Sequence, residues 1–207
     1  MKANNLVFVL GAALAAASFN AAAEDWMVRV RVVEIDTANK SDPIGALGVP
    51  ADAIHVSRKA IPEFDVSYFF TPNWAAELVL TYPQKHDVTI EGVGSIGSFK
   101  HLPPTLTAQY HFLPGGQWQP YVGAGVNFTN ISNVNLAVPG VGSLNLDRTS
   151  VGLAYGAGFD YKVGPNLYIN ADVKKVYIGS DVTLGGTKIS RVNVDPILWG
   201  LGLGWKF

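Results

Sequence analysis

Side chains that could do chemistry are few and scattered in this 207-residue sequence. Two serines lie among glycines at Gly94–Ser98, but no Gly-x-Ser-x-Gly elbow occurs after the first 23 residues, and no Gly-Lys-Ser/Thr phosphate loop is present. None of the histidines has the spacing of a metal site; they are His55, His86, His101 and His111. We therefore expect no enzyme, no metal site and no cofactor.

The composition argues against several other classes of protein. Hydrophobic residues make up 48% of the chain and charged residues 15%, with 22 glycines, no cysteine and a formal net charge of -1. An ordinary soluble domain has about 25% charged residues. Without cysteine there is no disulfide and no thiolate metal site. A near-neutral chain with no dense Lys/Arg block is not expected to bind nucleic acid.

The N-terminus has the pattern of a secretory signal peptide. Met1-Lys2 supplies a positive charge, Leu6–Ala17 is a short run of small or apolar residues, and Ala21-Ala22-Ala23 precedes two acidic residues. The alternative is a membrane-anchoring helix, but this run is shorter than the 20 or so residues that span a bilayer. We predict that residues 1–23 are cleaved and that residues 24–207 form the mature domain.

Eight segments of the mature chain alternate between an apolar and a polar or glycine face, which is typical of β-strands. In the first segment, Val28, Val30 and Val32 share one face while Arg29 and Arg31 occupy the other. The segments are Trp26–Glu34, Glu63–Phe70, Trp74–Tyr82, Thr105–Phe112, Pro120–Thr129, Ser150–Tyr161, Leu167–Tyr177 and Ile197–Phe207.

Short and long gaps alternate between these segments. Thr71–Asn73, Leu113–Gln119 and Lys162–Asn166 are short, whereas the other four connections run to about 20 residues or more. Short periplasmic turns and long extracellular loops are typical of a transmembrane β-barrel. The sequence thus predicts an all-β fold, an eight-stranded antiparallel up-and-down barrel in the outer membrane.

Aromatic residues sharpen this prediction. Their rings favour membrane interfaces, so those near the short turns are predicted to form a periplasmic girdle: Trp26, Phe70, Trp74, Phe112, Tyr161 and Phe207. The alternative is a soluble β-sandwich. Its outward face would be polar, whereas here one face is apolar throughout.

The chain also resembles the OmpW family of bacterial outer-membrane proteins. The resemblance rests on His101–Leu106, Pro120–Thr129, Asp195-Pro196 and the terminal Trp205-Lys206-Phe207. It implies an eight-stranded barrel whose narrow hydrophobic lumen helps small apolar molecules cross the outer membrane. Trp205 and Phe207 look like the terminal signal that barrel-assembly machinery recognises.

The inward faces change character along the barrel axis. Six charged positions are predicted to pair into a plug, because isolated charges in a narrow lumen are costly to desolvate: Arg29, Arg31, Asp65, Glu77, Asp172 and Lys174. Asp160 and Lys206 are placed near the periplasmic rim. Toward the loops, Val33, Val79, Val176 and Leu198 are predicted to form an apolar pocket for ligand passage. The alternative is a fully packed, inert lumen.

We expect a channel or receptor for a small hydrophobic ligand in the Gram-negative outer membrane, with both termini periplasmic and lipopolysaccharide as a neighbour. One alternative is an inert barrel whose loops bind host surfaces, phage or proteins. The glycine-rich, sparsely charged loops Ile90–Phe99 and Val134–Leu146 are expected to lack extended strand arms, which argues against it. Another alternative is a lipid-modifying enzyme, which would need a Ser/His pair on the outer face.

Overall fold

The computed structural model describes residues 26–45 and 48–207, so the predicted signal peptide lies outside the described residues. No helix in these ranges is long and apolar enough to cross a membrane. The strands within them are β1 Trp26–Asp36, β2 Lys40–Ser41, β3 Ile54–Val56, β4 Lys59–Phe69, β5 Trp74–Leu80, β6 Gln84–Ile90, β7 Gly94–Leu102, β8 Thr105–His111, β9 Trp118–Val138, β10 Gly142–Leu146, β11 Thr149–Lys162, β12 Leu167–Val176, β13 Gly179–Leu184, β14 Thr187–Asn193 and β15 Ile197–Lys206.

Eight of these strands close into an antiparallel barrel. The ring runs β1, β4, β5, β8, β9, β11, β12 and β15, and β15 pairs back onto β1 from Met27↔Lys206 to Asp36↔Ile197. Every wall strand therefore has a partner on both edges for at least part of its length. The predicted eight-stranded barrel is confirmed.

Alternation of side chains explains the two surfaces of the wall. On β1, Val32 points outward and is 64% exposed, whereas the neighbouring Arg31 points inward and is 1% exposed. Leu153 and Leu201 are also exposed on the outside. Since successive residues of a strand face opposite sides, the wall carries apolar side chains outward and polar ones into the lumen.

The connections 70–73, 112–117 and 163–166 lie together at one end of the barrel, here named the short-turn end. Aromatic rings crowd the outer surface there: Trp26 lies 4.8 Å from Tyr68, and Trp74 lies 5.1 Å from Tyr110, between ring centroids. The predicted girdle residues are exposed or partly exposed at this end. The structure adds Trp118, which the sequence placed in a turn and which opens β9.

The expectation for the long connections is wrong, because they are built from strands. β9 runs on to Val138 and pairs with β7 and β10, and β13, β14 and β2 continue the same sheet. We call β2, β3, β6, β7, β10, β13, β14 and residues 130–138 the β extension, and its side of the barrel the long-loop end. The two glycine-rich loops are therefore strand-extending arms.

Polarity reverses where the wall passes into the β extension. On β9, Val126 and Phe128 point outward in the wall, whereas Ile131, Leu136 and Val138 point inward in the extension. The extension has its own apolar core, which includes Ile54, Val88, Phe99, Leu144 and Val182. Outward polar side chains and an apolar core are what a sheet surrounded by water requires.

Candidate functional site

Two arginines from β1 occupy the centre of the lumen. Arg29 donates to Asp160 of β11 through Nη2 at 2.6 Å and to Glu77 of β5 through Nη1 at 2.6 Å, and its Nη1 also donates to Ser67. Its guanidinium stands 5.4 Å from the ring centroid of Tyr121. Arg29, Glu77 and Asp160 are each no more than 1% exposed, so this ion group is fully removed from solvent.

Arg31 forms the second half of the charged layer, one step toward the long-loop end. Its Nη1 donates to Asp172 Oδ2 at 2.6 Å, and its Nη2 lies 2.6 Å from Asp65 Oδ2 and 3.1 Å from Glu63 Oε1. The contact with Asp65 is an ion pair by distance, but neither Asp65 oxygen receives a hydrogen bond of good geometry. Lys174 Nζ completes the layer at 2.7 Å from Glu63.

The structure thus brings all six predicted charged residues into one network, together with Asp160 and Glu63; we call these eight side chains the charge cluster. Sequence reasoning placed Asp160 near the rim, but it pairs with Arg29. Glu63 is not among the residues predicted from the sequence, because it is the first residue of its predicted segment and no preceding residue establishes the alternation. The signal that could have placed Glu63 in the lumen is its spacing of two from Asp65 and of four from Ser67, which puts all three on the inward face of β4. Buried charges need partners, and each charge in the cluster has at least one.

Packed side chains fill the lumen between the charge cluster and the short-turn end. His111 lies between two rings, with centroids 4.9 Å from Phe69 and 5.0 Å from Tyr121. Met27 and Tyr168 are buried beside them. Against the cluster itself, a cavity near Glu77 measures about 10 Å³, which holds one water molecule at most. The described part of the lumen is therefore closed on this side.

On the other side of the charge cluster the lumen is apolar. Val33, Val79, Val176 and Leu198, the four residues predicted for ligand passage, line one cavity of about 30 Å³, here named the lower cavity. Ile35 and Ile61 pack against Val33 and add to the apolar wall. Glu63 and Lys174 form the floor, so the cavity rests directly on the charge cluster.

A second cavity of about 30 Å³ lies within the β extension and is here named the upper cavity. Its lining is almost wholly aliphatic or aromatic and includes Val88, Phe99, Ile131 and Leu136. This cavity is not predicted from the sequence, because its lining comes largely from the long connections, for which no strands are predicted. His101 and Ile178 line both cavities, which therefore adjoin each other.

His101 is a polar residue in this apolar path. Its ring stacks on that of His86, with centroids 4.7 Å apart and planes 16° from parallel. Both lie on strands of the β extension, beyond the membrane-spanning wall. Burial and the neighbouring His86 lower the pKa of His101 to about 3, and burial lowers the pKa of His86. Both imidazoles are therefore neutral near pH 7.

The wall beside the lower cavity has a break in its hydrogen-bond ladder. Pairing between β5 and β8 ends at Val79↔Thr105, and pairing between β6 and β7 resumes only at Gln84↔His101. The intervening residues 80–83 and 102–104 include Pro83, Pro103 and Pro104. Proline has no N–H to donate, so it cannot complete a ladder.

Two side-chain amides bind the carbonyl groups at this break. Asn127 Nδ2 donates to the oxygens of Pro103 and Pro104 at 3.1 and 3.2 Å. Gln84 Nε2 donates to the oxygen of Tyr82 at 2.8 Å. Asn127 lies on β9 and therefore binds only the 102–104 side of the break, while Gln84 binds within its own segment. None of these hydrogen bonds crosses the gap.

Comparison with known proteins agrees with this architecture. The sequence matches the OmpW family over residues 22–207. It is 39% identical to an uncharacterized outer-membrane protein y4mB of Sinorhizobium fredii, over 88% of this chain and 80% of the relative. A dibenzothiophene metabolism operon protein, PahQ of Pseudomonas aeruginosa, is 27% identical over 88% of both chains.

The fold also matches a solved structure. The crystal structure of the outer membrane protein OprG from Pseudomonas aeruginosa superposes with a TM-score of 0.76 and 30% identity, covering 88% of this chain and 95% of OprG. Both y4mB and OprG are described as outer-membrane proteins. With a matching strand architecture and a family match over nearly the whole chain, this protein belongs to the OmpW family of outer-membrane β-barrels.

Proposed function

We propose that this barrel carries small apolar molecules from the long-loop end through the two cavities and releases them sideways into the membrane. The observation that carries the proposal is the order of layers along the axis. An apolar path through the β extension ends at Val33, Val79, Val176 and Leu198, directly above a sealed layer of paired charges. An apolar solute gains by entering the first region and has no favourable route through the second.

The break in the wall supplies the exit. The lower cavity is lined by Thr81 and Pro103, which are unpaired across the break, and by Thr105 at its edge. A solute that reaches this cavity leaves between residues 80–83 and 102–104, where no ladder pairing joins the two sides of the wall. With volumes of about 30 Å³, both cavities must widen during passage, which favours narrow, flexible or planar molecules. The name of PahQ ties one relative to the metabolism of dibenzothiophene, an apolar aromatic compound.

The proposal includes an orientation and partners. We place the short turns and both termini in the periplasm and the β extension outside the cell, among lipopolysaccharide. Short periplasmic turns and longer outer loops are the usual arrangement of such barrels. During biogenesis the barrel-assembly machinery would read Trp205 and Phe207 on the last strand.

Uptake in whole cells tests the transport proposal, because apolar solutes cross a plain phospholipid bilayer unaided but are slowed by the polar saccharides of lipopolysaccharide. The measurement is the initial uptake rate of radiolabelled n-octane in cells that lack or carry the protein. We expect the protein to raise this rate, and Leu198→Arg or Val176→Arg to abolish the increase by placing a charge in the lower cavity.

Leu198→Met is the matched control, since it keeps the cavity apolar and should leave uptake unchanged. Folding of each variant is checked by the heat-dependent gel shift of closed barrels. If Leu198→Arg and Val176→Arg proteins fold and take up octane at the wild-type rate, the proposed path is wrong.

One observation favours a second candidate function. In this function the barrel is inert, and its outer surface binds host surfaces, phage or proteins. The β extension is a structured sheet with its own core, and Val93 and Val141 are exposed at its hairpin tips. Replacing both valines with aspartate should abolish cell or phage adhesion under this candidate and leave octane uptake intact under the first.

A further inference from the structure

His101 occupies the junction of the two apolar cavities. Its side chain is 3% exposed and lines the upper cavity together with Phe99 and Ile131 and the lower cavity together with Val79 and Val176. His101 is one of only two described residues that line both cavities, so its ring lies beside the connection between them. The transport proposal by itself gives no reason for a polar side chain at this point.

The imidazole of His101 has unused hydrogen-bonding capacity. It makes no hydrogen bond with any residue in the described ranges, and its polar neighbour is the stacked ring of His86. His86 donates Nδ1–H to the carbonyl of Ser57 at 2.8 Å, which leaves its Nε2 as a buried acceptor without a partner. Buried polar groups are normally hydrogen-bonded, and an exception calls for an explanation.

We infer that His101 is the specificity-determining residue of the path, where it binds the single neutral hydroxyl group of an otherwise apolar ligand. A neutral imidazole has one N–H donor and one acceptor nitrogen, so its acceptor nitrogen can accept a hydrogen bond from the hydroxyl group. Pockets of this kind are typically apolar with one or two polar groups that fix orientation. The inference rests on the proposed function and names its preferred ligands, long-chain alcohols and phenols rather than hydrocarbons.

The charge state of the site points to a neutral group rather than a carboxylate. Burial and the adjacent His86 hold the pKa of His101 far below neutrality, so the ring offers no positive charge. No lysine or arginine lines the upper cavity, and Lys174 at the floor of the lower cavity is paired with Glu63. A carboxylate at this junction would therefore lose its hydration without gaining a counter-ion.

Paired uptake rates of 1-octanol and n-octane test the inference, in the same cells and each corrected for cells lacking the protein. His101→Phe keeps the ring and its stacking but removes both nitrogens. It should lower the ratio of the 1-octanol rate to the octane rate about fivefold, because loss of one neutral hydrogen bond worth about 1 kcal/mol changes binding by about that factor. His55→Phe is the control, because His55 is exposed on β3 and lines neither cavity; it should change neither rate.

A second measurement does not depend on transport. In detergent-solubilised wild-type protein, 1-octanol should shift the imidazole ¹⁵N resonances of His101 and leave those of His55 in place, while octane should shift neither. His101→Gln, which keeps a hydrogen-bonding group, provides a second folded variant and should retain part of the octanol preference.

The outcomes separate the two proposals. If wild-type protein takes up octane, but His101→Phe lowers neither alcohol uptake nor the alcohol-to-octane ratio, the role of His101 is wrong and the path stands. If wild-type protein raises the uptake of neither compound, the transport proposal fails and this inference fails with it.

Discussion

Arg31 of β1 reaches Asp172 of β12 across the intervening strand β15, with Nη1 2.6 Å from Oδ2. The two strands are not neighbours in the ring, so this ion pair spans a strand. It can do so because β15 presents glycines inward at Gly200 and Gly202, where Arg31 lies over the backbone. These inward glycines therefore make room for the charge cluster.

Gly202→Ala should destabilise the barrel. A methyl group there would lie 2.7 Å from the Arg31 Cα atom and overlap the Val30 carbonyl oxygen, so β1 must shift. Overpacking of this kind costs about 1–3 kcal/mol. Urea unfolding of protein in lipid vesicles measures it. Gly45→Ala, with nothing within 4 Å of the added atom, is the control and should leave the transition unchanged.

Arg29→Leu should lower stability strongly, by about 3–5 kcal/mol, because Glu77 and Asp160 would remain buried without their counter-ion. The triple variant Arg29→Leu, Glu77→Leu, Asp160→Leu should recover much of that loss, since apolar residues of similar size can replace a buried ion group. The measurement is the urea unfolding transition of the wild-type protein, the single variant and the triple variant. A triple variant no more stable than the single one would contradict the pairing.

Acid should loosen the β6–β7 hairpin before the rest of the barrel. The unfolded imidazole of His101 titrates at 6.5 but the folded one at about 3, so stability is lost as the pH falls from 6.5 toward 3. The stacked pair is His86 and His101. The groups that face His86 are Lys59, Ser57 and Asp87, and the group that faces His101 is His86 itself.

Between pH 7 and pH 5 the expected local loss is about 1–2 kcal/mol. Hydrogen exchange of the β6 and β7 amides, corrected for intrinsic rates, measures it, with the β11 and β12 amides as internal reference. His101→Leu should remove most of the pH dependence. If exchange in His101→Leu protein is as sensitive to acid as in wild-type protein, protonation of His101 is not what loosens the β6–β7 hairpin.

The proposed orientation can be checked with single cysteines, because the chain has none of its own. Val93→Cys stands at the tip of the β6–β7 hairpin and Asn73→Cys in the turn between β4 and β5. A membrane-impermeant maleimide added to intact cells should label the first and spare the second. Permeabilised cells should label both, and the reverse pattern in intact cells would overturn the orientation.

The sequence predicts the inward and outward faces of the wall strands, because apolar side chains face lipid along the whole length of each strand. Lipid requires apolar side chains on the outer face, so Val30 and Val32 identified the opposite positions, Arg29 and Arg31, as inward. The charges then had to find partners in a narrow lumen, and the six predicted residues do lie in one network. Their partners across the barrel could not be read, since register depends on closure of the whole ring.

The β extension was missed although its alternation is equally regular. Gln84, His86, Val88 and Ile90 point inward on β6, while Lys85, Asp87 and Thr89 point outward. A lipid-facing strand has apolar residues outward and polar ones inward, and the polarity of β6 is opposite. Bulges added to the difficulty: Asn133 has a positive φ of 49°, and the β7–β9 register shifts between Ser98 and Lys100.

The reversal of polarity on β9 between Phe128 and Ile131 has a mechanical consequence. It marks the outer boundary of the bilayer on the protein. Shifting the barrel along the membrane normal by one residue pair would expose a row of apolar side chains to water or a row of polar side chains to lipid. The sequence of β9 thereby fixes the depth at which the barrel is inserted in the bilayer. A thinner or thicker membrane would have to deform to meet that boundary, rather than the protein sliding to meet the membrane.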